Sequence, residues 1–207
     1  MGFKEIVSIA LGSGIFKALT PKENDVLLDM NELWKHSIGV GLSSKQIDMK
    51  TKKSMEESMM LVGLLHDVGK ILFLLYFQAD YAEVLVKHQT EHIPLHVIEH
   101  DMLEITHAEM AYLLMKQWNF PDNISIPIRY HHSIAECPFE YLSRTMTVHL
   151  ADYICHQAKI GHSANMIPEK KDEIISALGL SQDQLNELIN SMDSSRQEVD
   201  GFLEAMS

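Results

Sequence analysis

The sequence predicts an all-α protein with one sizeable core. Apolar residues recur at intervals of three and four along most of the chain, while the alternation typical of half-buried strands is nearly absent. Pro, Gly and capping residues punctuate these periodic stretches in the way that separates helices. With 207 residues and 46% hydrophobic content, the chain is long enough for one large core, and no Pro/Gly/Ser-rich linker divides it.

The helices predicted for the first half follow apolar periodicity and proline positions. The first stops before Pro21, and Pro94 restarts the chain after an earlier helix has ended. We expect Gly69 to bend the long third helix. In order, these predicted helices cover residues 5–19, 29–48, 54–77, 80–91 and 94–102.

Stronger local signals mark the helices of the second half. Thr106 and Glu109 form a capping box, and Pro121 fits the first turn of the following helix. Gly179 stands where a C′ residue ends a helix, and Ser181 begins the last one. The predicted ranges are 107–118, 121–130, 138–160, 168–178 and a last helix from 181, which is expected to fray at 193–195.

Composition excludes several classes of function. The net charge of −12 argues against a nucleic-acid-binding surface, since phosphate neutralisation needs clustered Lys and Arg. Cys137 and Cys155 form no C-x-x-C motif and no disulfide framework, which indicates that the protein is located in a reducing cytoplasm. The longest apolar run, 71–77, is too short to span a bilayer, so no membrane segment is expected. The twelve histidines are a compositional hint of metal binding.

The pair His66-Asp67 is the most informative feature of the chain. It follows the apolar run 59–65, where a charged group is costly unless a metal or a hydrogen-bonded partner compensates it. Imidazoles and carboxylates without thiolates suit Fe, Mn, Zn, Co or Ni, and no single metal is selected. Two such ions about 3.5–4 Å apart can clamp a phosphate and activate a water. The further candidate ligands are His36, His107, His131, His132 and Asp152.

Other polar residues near these positions have two interpretations each. Lys70, one turn after His66, could face a phosphate oxygen, or it is a solvated lysine or helix-end partner. His149 and His156, three before and four after Asp152, could orient that carboxylate or simply share a helix face. The four-residue spacing of His96 and His100 is interpreted as incidental surface histidines.

The joint order of these motifs resembles the HD superfamily of metal-dependent phosphohydrolases, and within it the HDOD family. The motifs span roughly residues 30–155. They are Trp34-Lys-His36-Ser37, Gly63-Leu-Leu-His66-Asp67-Val-Gly69-Lys70, Thr106-His107-Ala-Glu-Met110 through Trp118-Asn-Phe-Pro121, His131-His132 and Leu150-Ala151-Asp152.

The resemblance implies a multi-helix HD-type domain with a centre of two divalent transition metal ions. It implies that Asp67 bridges the ions. In the proposed enzyme reaction Asp67 and Lys70 would be the catalytic residues, with Lys70 steadying the phosphate. The metal ligands implied are His36, His66, Asp67, His107, His131, His132 and Asp152. Glu32 matches a glutamate ligand of some trinuclear members, although an exposed helix acid is the simpler interpretation.

The function that the resemblance implies is a bacterial, cytoplasmic regulatory or scaffold protein in signal transduction, with other signalling proteins as partners. The alternative is an active phosphohydrolase on a nucleotide or another phosphate ester. Residues 133–138 lack the Gly-Tyr-Pro of the cyclic-di-GMP phosphodiesterase branch, so that activity is not expected.

The predicted organisation has three parts. Residues 1–28 hold a helix that resembles the end of an HDOD N-terminal half, which is expected to be missing or divergent here. Residues 29–165 form the HD-type metal-site domain. Residues 166–207 form C-terminal helices that pack on, or extend from, the same domain.

Overall fold

The computed structural model describes residues 14, 19, 28–51, 58–166, 168 and 172–206, and within these ranges it contains helices and no strand. Two short 3₁₀ turns, Ile134–Glu136 and Phe139–Tyr141, precede the eighth helix. The α-helices are α1 (Met30–Thr51), α2 (Ser58–Leu65), α3 (Val68–Tyr76), α4 (Gln78–Glu91), α5 (Leu95–Leu103), α6 (His107–Gln117), α7 (Asp122–Tyr130), α8 (Leu142–Ala158), α9 (Asp172–Leu178) and α10 (Gln182–Met206).

The predicted all-α class is confirmed, and most predicted helices exist within a few residues of their expected bounds. Thr106 accepts a hydrogen bond from the backbone of Glu109, and Glu109 reciprocates, so the capping box of α6 is present. Gly179 lies at the end of α9 with φ +76°, the left-handed conformation that favours glycine. The predicted helix 5–19 lies outside the described residues except for Gly14 and Leu19, which are both helical.

The prediction of one long third helix is wrong, because the structure has two helices in that range. The break falls at His66-Asp67, between α2 and α3, and not at Gly69. Gly69 lies inside α3, where a Cβ would come within 1.9 Å of the His107 carbonyl oxygen. Glycine is therefore required here for the close approach of α6, not for a bend.

The core is centred on α1 and α2, which pack on each other and on α8. A Cβ on Gly63 would lie 2.6 Å from the backbone nitrogen of Gly41, so the two helices meet at backbone contact. By length and hydropathy the stretch Ser58–Tyr76 resembles a membrane span, yet 89% of it is buried inside the fold. It is the apolar centre of the domain.

The C-terminal helix α10 is continuous, so the predicted fraying at 193–195 is wrong. Ser195 is buried against the core, and its hydroxyl donates to the carbonyl of Ser191. Arg196 donates to the carbonyls of Ala158 and Lys159 at the end of α8. These contacts hold α10 against α1 and α8. The division into residues 1–28, 29–165 and 166–207 stays a prediction.

Candidate metal centre

Asp67 lies at the middle of a buried polar cluster, at the break between α2 and α3. Its side chain makes no capping bond to α3, so both carboxylate oxygens face the cluster. Oδ2 accepts a 2.7 Å hydrogen bond from Lys70 Nζ, and that ammonium also donates to the carbonyl of Ser163 at 2.9 Å. Oδ1 is buried without a hydrogen-bond partner. Asp67 therefore keeps one oxygen for another ligand.

Two imidazoles present deprotonated nitrogens to Asp67. His66 Nδ1 donates to the carbonyl of Gly63 at 2.7 Å, and His131 Nδ1 donates to that of Ile128 at 2.7 Å. A neutral imidazole has one N–H, so both Nε2 atoms carry lone pairs. They lie 3.4 Å and 4.0 Å from the nearer Asp67 oxygens, buried and without partners.

His107 repeats this arrangement with a carboxylate as its outer partner. Its Nδ1 lies 2.6 Å from Glu99 Oε2, and its backbone N–H donates to the same oxygen at 2.8 Å. Tyr81 donates to the other Glu99 oxygen at 2.9 Å. His107 Nε2 then faces Asp67 Oδ1 at 3.2 Å and His132 Nε2 at 3.1 Å. A carboxylate behind an imidazole is a common way to orient a metal ligand.

The opposite side of the cluster is built by α1 and α8. His36 Nε2 lies 2.8 Å from Asp152 Oδ1, while His36 Nδ1 lies 3.2 Å from the carbonyl of Ile160. His156, one turn after Asp152, brings its Nε2 within 3.3 Å of the same Oδ1. Asp152 Oδ2 is buried without a partner. Gly161 lets its segment pass close over α1, since a Cβ there would lie 2.3 Å from the backbone nitrogen of His36.

Electrostatics fix the charge states of the cluster. Burial lowers the pKa of three imidazoles, which keeps them neutral: His66, His131 and His132. Burial by itself would lower the pKa of His107 too, but the Glu99 carboxylate outweighs the effect of burial, so the pKa of His107 is raised. Burial by itself would raise the pKa of Asp67 and of Asp152. The His66 ring and the Lys70 ammonium instead bring the pKa of Asp67 well below its usual value. Hydrogen bonds from His156 and His36 do the same for the pKa of Asp152.

The donor set fits divalent metal ions. Three groups each place one ligand atom per residue within 4.8 Å of the others: Asp67, His107, His131 and His132; His36, His66 and Asp67; and His36, Asp152 and His156. The unpartnered Nε2 atoms of His66 and His131 and the unpartnered oxygens of Asp67 and Asp152 are electron-pair donors that a cation could accept. Among the described residues, three buried carboxylates, on Asp67, Asp152 and Glu99, also outnumber the one buried ammonium, on Lys70. Bound cations would satisfy both the lone pairs and the excess negative charge.

The structure brings all the predicted metal ligands into this one cluster. Lys70 is fully buried and bonded to Asp67, so it is neither a solvated lysine nor a helix-end group. Glu32 lies outside, with its side chain 39% exposed and paired with Lys35 at 3.2 Å. His149 donates to the carbonyl of His131, so it supports that backbone and makes no hydrogen bond to Asp152.

Sequence reasoning missed Glu99, whose role depends on burial against His107. It also misjudged His96, whose ring stacks on His132 with centroids 4.5 Å apart. His96 lines a cavity of about 180 Å³ that reaches the centre at His132 and also contains Arg129. The four-residue spacing of His96 and His100 was the sequence signal for this cavity, because both residues line it.

A fully helical domain with a His-Asp pair at its buried centre has the features of an HD-type domain. The HDOD domain family matches residues 1–134, and this chain belongs to that family. The predicted family is therefore confirmed.

Solved structures share the fold. A candidate signal transduction protein from Marinobacter aquaeolei VT8 is 21% identical, with a TM-score of 0.84 over 99% of this chain and 45% of its own. An HDOD domain protein of unknown function from Geobacter sulfurreducens is 23% identical, with a TM-score of 0.74 over 96% and 68%. A candidate phosphohydrolase from Shewanella amazonensis SB2B is 16% identical, with a TM-score of 0.78 over 100% and 74%.

A sequence relative is an uncharacterized protein of Treponema pallidum (strain Nichols). It is 33% identical over 96 residues, which is 44% of this chain, and the match spans only 18% of the relative's length.

Proposed function

We propose that this chain is a regulatory HDOD protein of signal transduction whose helical domain holds a centre of two divalent transition metal ions. The observation that carries the metal centre is the hydrogen bonding of His66 and His131. The outer nitrogen of each ring, Nδ1, donates to a backbone carbonyl, which leaves the inner Nε2 of the neutral ring as a lone pair beside Asp67.

Two positions share Asp67 in this proposal. His107, His131 and His132 would hold one ion, and His36, His66 and Asp152 the other, with Asp67 between them. A bound divalent ion would supply Lewis acidity toward a phosphoryl oxygen and lower the pKa of a coordinated water. The protein groups hold the geometry: Glu99 orients His107, and Lys70 fixes the Asp67 carboxylate.

A regulatory role is favoured by the burial of the centre. Of the proposed ligands only His132 is partly exposed, and it meets a small cavity. Lys70 has no solvent exposure, and two of its three N–H groups donate to Asp67 and to the Ser163 carbonyl, which leaves at most one for a phosphate. Regulatory partners, and a reducing cytoplasmic location, remain predictions from the sequence.

The second candidate function is a phosphohydrolase acting on a small phosphate ester. Arg129 favours it, because its guanidinium lines the same cavity as His132 and stacks on Tyr112 and Tyr130 at 5.0 and 5.2 Å. Guanidinium is a strong partner for phosphate oxygens.

The test compares metal content in Asp67→Ala, Glu32→Ala and the natural sequence, purified in parallel and measured by elemental analysis. Asp67→Ala should lose most of its metal, since it removes the shared ligand. Glu32→Ala should keep it, because that side chain faces solvent. Equal retention in both variants would overturn the metal centre. Turnover of a generic phosphodiester by metal-loaded protein would promote the enzyme candidate over the regulatory one.

A further inference from the structure

Residues 160–163, which we call the cover segment, close one side of the buried polar cluster after α8 has ended. The Ile160 carbonyl lies 3.2 Å from His36 Nδ1, and the Ser163 carbonyl accepts a hydrogen bond from Lys70 at 2.9 Å. Both Ile160 and Ser163 are buried. Water can reach the cluster on this side only when the cover segment moves.

Arg196 of the C-terminal helix α10 holds the start of the cover segment from outside. Its guanidinium donates to the carbonyls of Ala158 and Lys159, the two residues that precede the segment. These carbonyls have no partner inside α8, because that helix ends at Ala158 and Lys159 is left-handed, with φ +53°. Asp193 accepts from the same guanidinium at 3.2 Å and orients it. One side chain thus fixes the exit of the chain from α8.

The contact between α10 and the cover segment is not closely packed. A cavity of about 140 Å³ lies between them, lined on one side by residues 159–161 and on the other by Arg196, Val199 and Asp200. Close packing is what makes interior contacts resist separation. Since it is incomplete here, the connection depends strongly on the polar bonds of Arg196.

α10 itself is attached to the core by a separate row of side chains. Its buried residues recur at intervals of three and four, a spacing typical of helices that pack along their length. The residues in this row are Leu185, Leu188, Met192, Ser195 and Val199. Arg196 stands beside the row, with its side chain 47% exposed. Its bonds to α8 can therefore break without α10 leaving the core.

We propose that Arg196 is a latch, and that its release lets the cover segment lift from the polar cluster while α10 stays in place. With the latch closed, Ile160 and Ser163 keep their contacts with His36 and Lys70. With the latch open, both contacts are lost together and water enters the cluster. The latch then sets how fast ions exchange, a consequence that rests on the proposed metal centre.

Cys155 reports this opening without any metal. It is fully buried, and its carbonyl accepts from the Ile160 N–H at 3.0 Å. A Cβ on Gly39 would lie 2.6 Å from Ile160 Cγ2 and 3.3 Å from the Cys155 sulfur, so both side chains cover the same place on α1. The thiol should therefore react with a labelling reagent only after Ile160 has moved.

The experiment measures the rate at which an aromatic disulfide reagent labels Cys155 in the metal-free full chain, with Cys137→Ser removing the other thiol. Arg196→Gln should speed labelling about tenfold, because it removes a charged donor from two carbonyls. Arg196→Lys keeps the charge but not the fork of donors, and should give an intermediate rate. Lys50→Gln is the matched control, since it breaks an exposed pair with Glu187 near the start of α10 and should change the rate less than about twofold.

The urea dependence of labelling separates a latch from a general loss of stability. The faster labelling of Arg196→Gln should change little in dilute urea, because lifting a short segment exposes little surface. An unchanged labelling rate would overturn the latch. So would a rate that rises with urea as steeply as global unfolding does.

The release of bound Co²⁺ to a chelator tests the link to the metal centre. Arg196→Gln should hold as much Co²⁺ as the natural sequence and release it about tenfold faster. Faster labelling with unchanged Co²⁺ release would overturn the control of ion exchange by the latch. If the natural sequence binds no Co²⁺, the proposed function fails, and the labelling rates still decide whether Arg196 is a latch.

Discussion

Gly69 is a position where one methyl group should disturb the proposed metal centre directly. In Gly69→Ala the new Cβ would lie 1.9 Å from the carbonyl oxygen of His107, 2.7 Å from its carbonyl carbon and 2.9 Å from its Cα. Ordinary contact begins near 3.4 Å, so α3 and α6 would have to separate locally by about 1.5 Å.

The obstacle in Gly69→Ala is backbone, so it cannot yield by a rotamer change. The first turn of α6 is held by its capping box and by the bonds from His107 to Glu99. Overpacking a tight core costs about 1–3 kcal/mol, and a backbone obstacle places this substitution at or above the upper end. The gain of about 1 kcal/mol in helix propensity offsets only part of that.

The assay is urea unfolding of metal-free protein, with metal content measured in parallel. With a denaturant slope of about 2–3 kcal/mol per molar, the midpoint should fall by roughly 1 M. His107 would move with the carbonyl, so metal content should fall as well. Gly201→Ala is the matched control, since Gly201 is exposed in α10 with nothing within 4 Å of its Cβ position, and its midpoint should stay or rise. An unchanged midpoint and full metal content in Gly69→Ala would refute the reasoning.

Three further predictions follow from the same geometry. Glu99→Gln weakens the charge-assisted bond to His107 and should cost about 10–100-fold in metal affinity, measured by competition with a chelator; an unchanged affinity would show that Glu99 does not tune the ligand. Cyclic-di-GMP turnover, assayed with Mn or Fe under reducing conditions, should be negligible, because Glu136 lines the cavity at His132 and repels an anion; rates of about 1–10³ per second would contradict this. Stability of the metal-free protein should fall as pH drops from about 6.5 toward 4.5. The folded pKa values of His66, His131 and His132 are lowered, so the unfolded chain takes up more protons there, at up to about 1.4 kcal/mol per pH unit for each histidine. His107 has a raised pKa and opposes this trend, and equal urea midpoints at pH 5 and pH 7 would contradict the prediction.

Local signals in the sequence were sufficient to predict most helices and the residues of the buried polar cluster around Asp67. The Thr106 capping box and Gly179 act through bonds between near neighbours, so their effect is visible without a fold. The apolar run before His66 likewise implied that the pair had to be compensated in the interior. Such features need no knowledge of which helix lies opposite.

The features that sequence reasoning missed depend on contacts between distant segments. Gly69 suggested a bend because glycine permits one, whereas the actual requirement is the approach of His107. Glu99 lies two residues before Asp101 in α5 and resembles an exposed helix residue until α6 covers it. Lys70 suggested a phosphate contact, because only the fold shows the Ser163 carbonyl that accepts from it.

In the proposed metal centre, the fixed position of Lys70 would also set how strongly cations are attracted. Its ammonium neutralises one of the three buried carboxylates and occupies Asp67 Oδ2, which leaves two negative charges and the Oδ1 atom for metal. One divalent ion balances that charge, so each further ion adds net positive charge to a buried site and binds less tightly than the one before. This order of affinities would suit the proposed regulatory role, because the tightest ion would maintain the fold while a weaker position would exchange with the surroundings. It also means that an anion near Arg129 and His132 would strengthen binding of the later ions, since it compensates the excess charge.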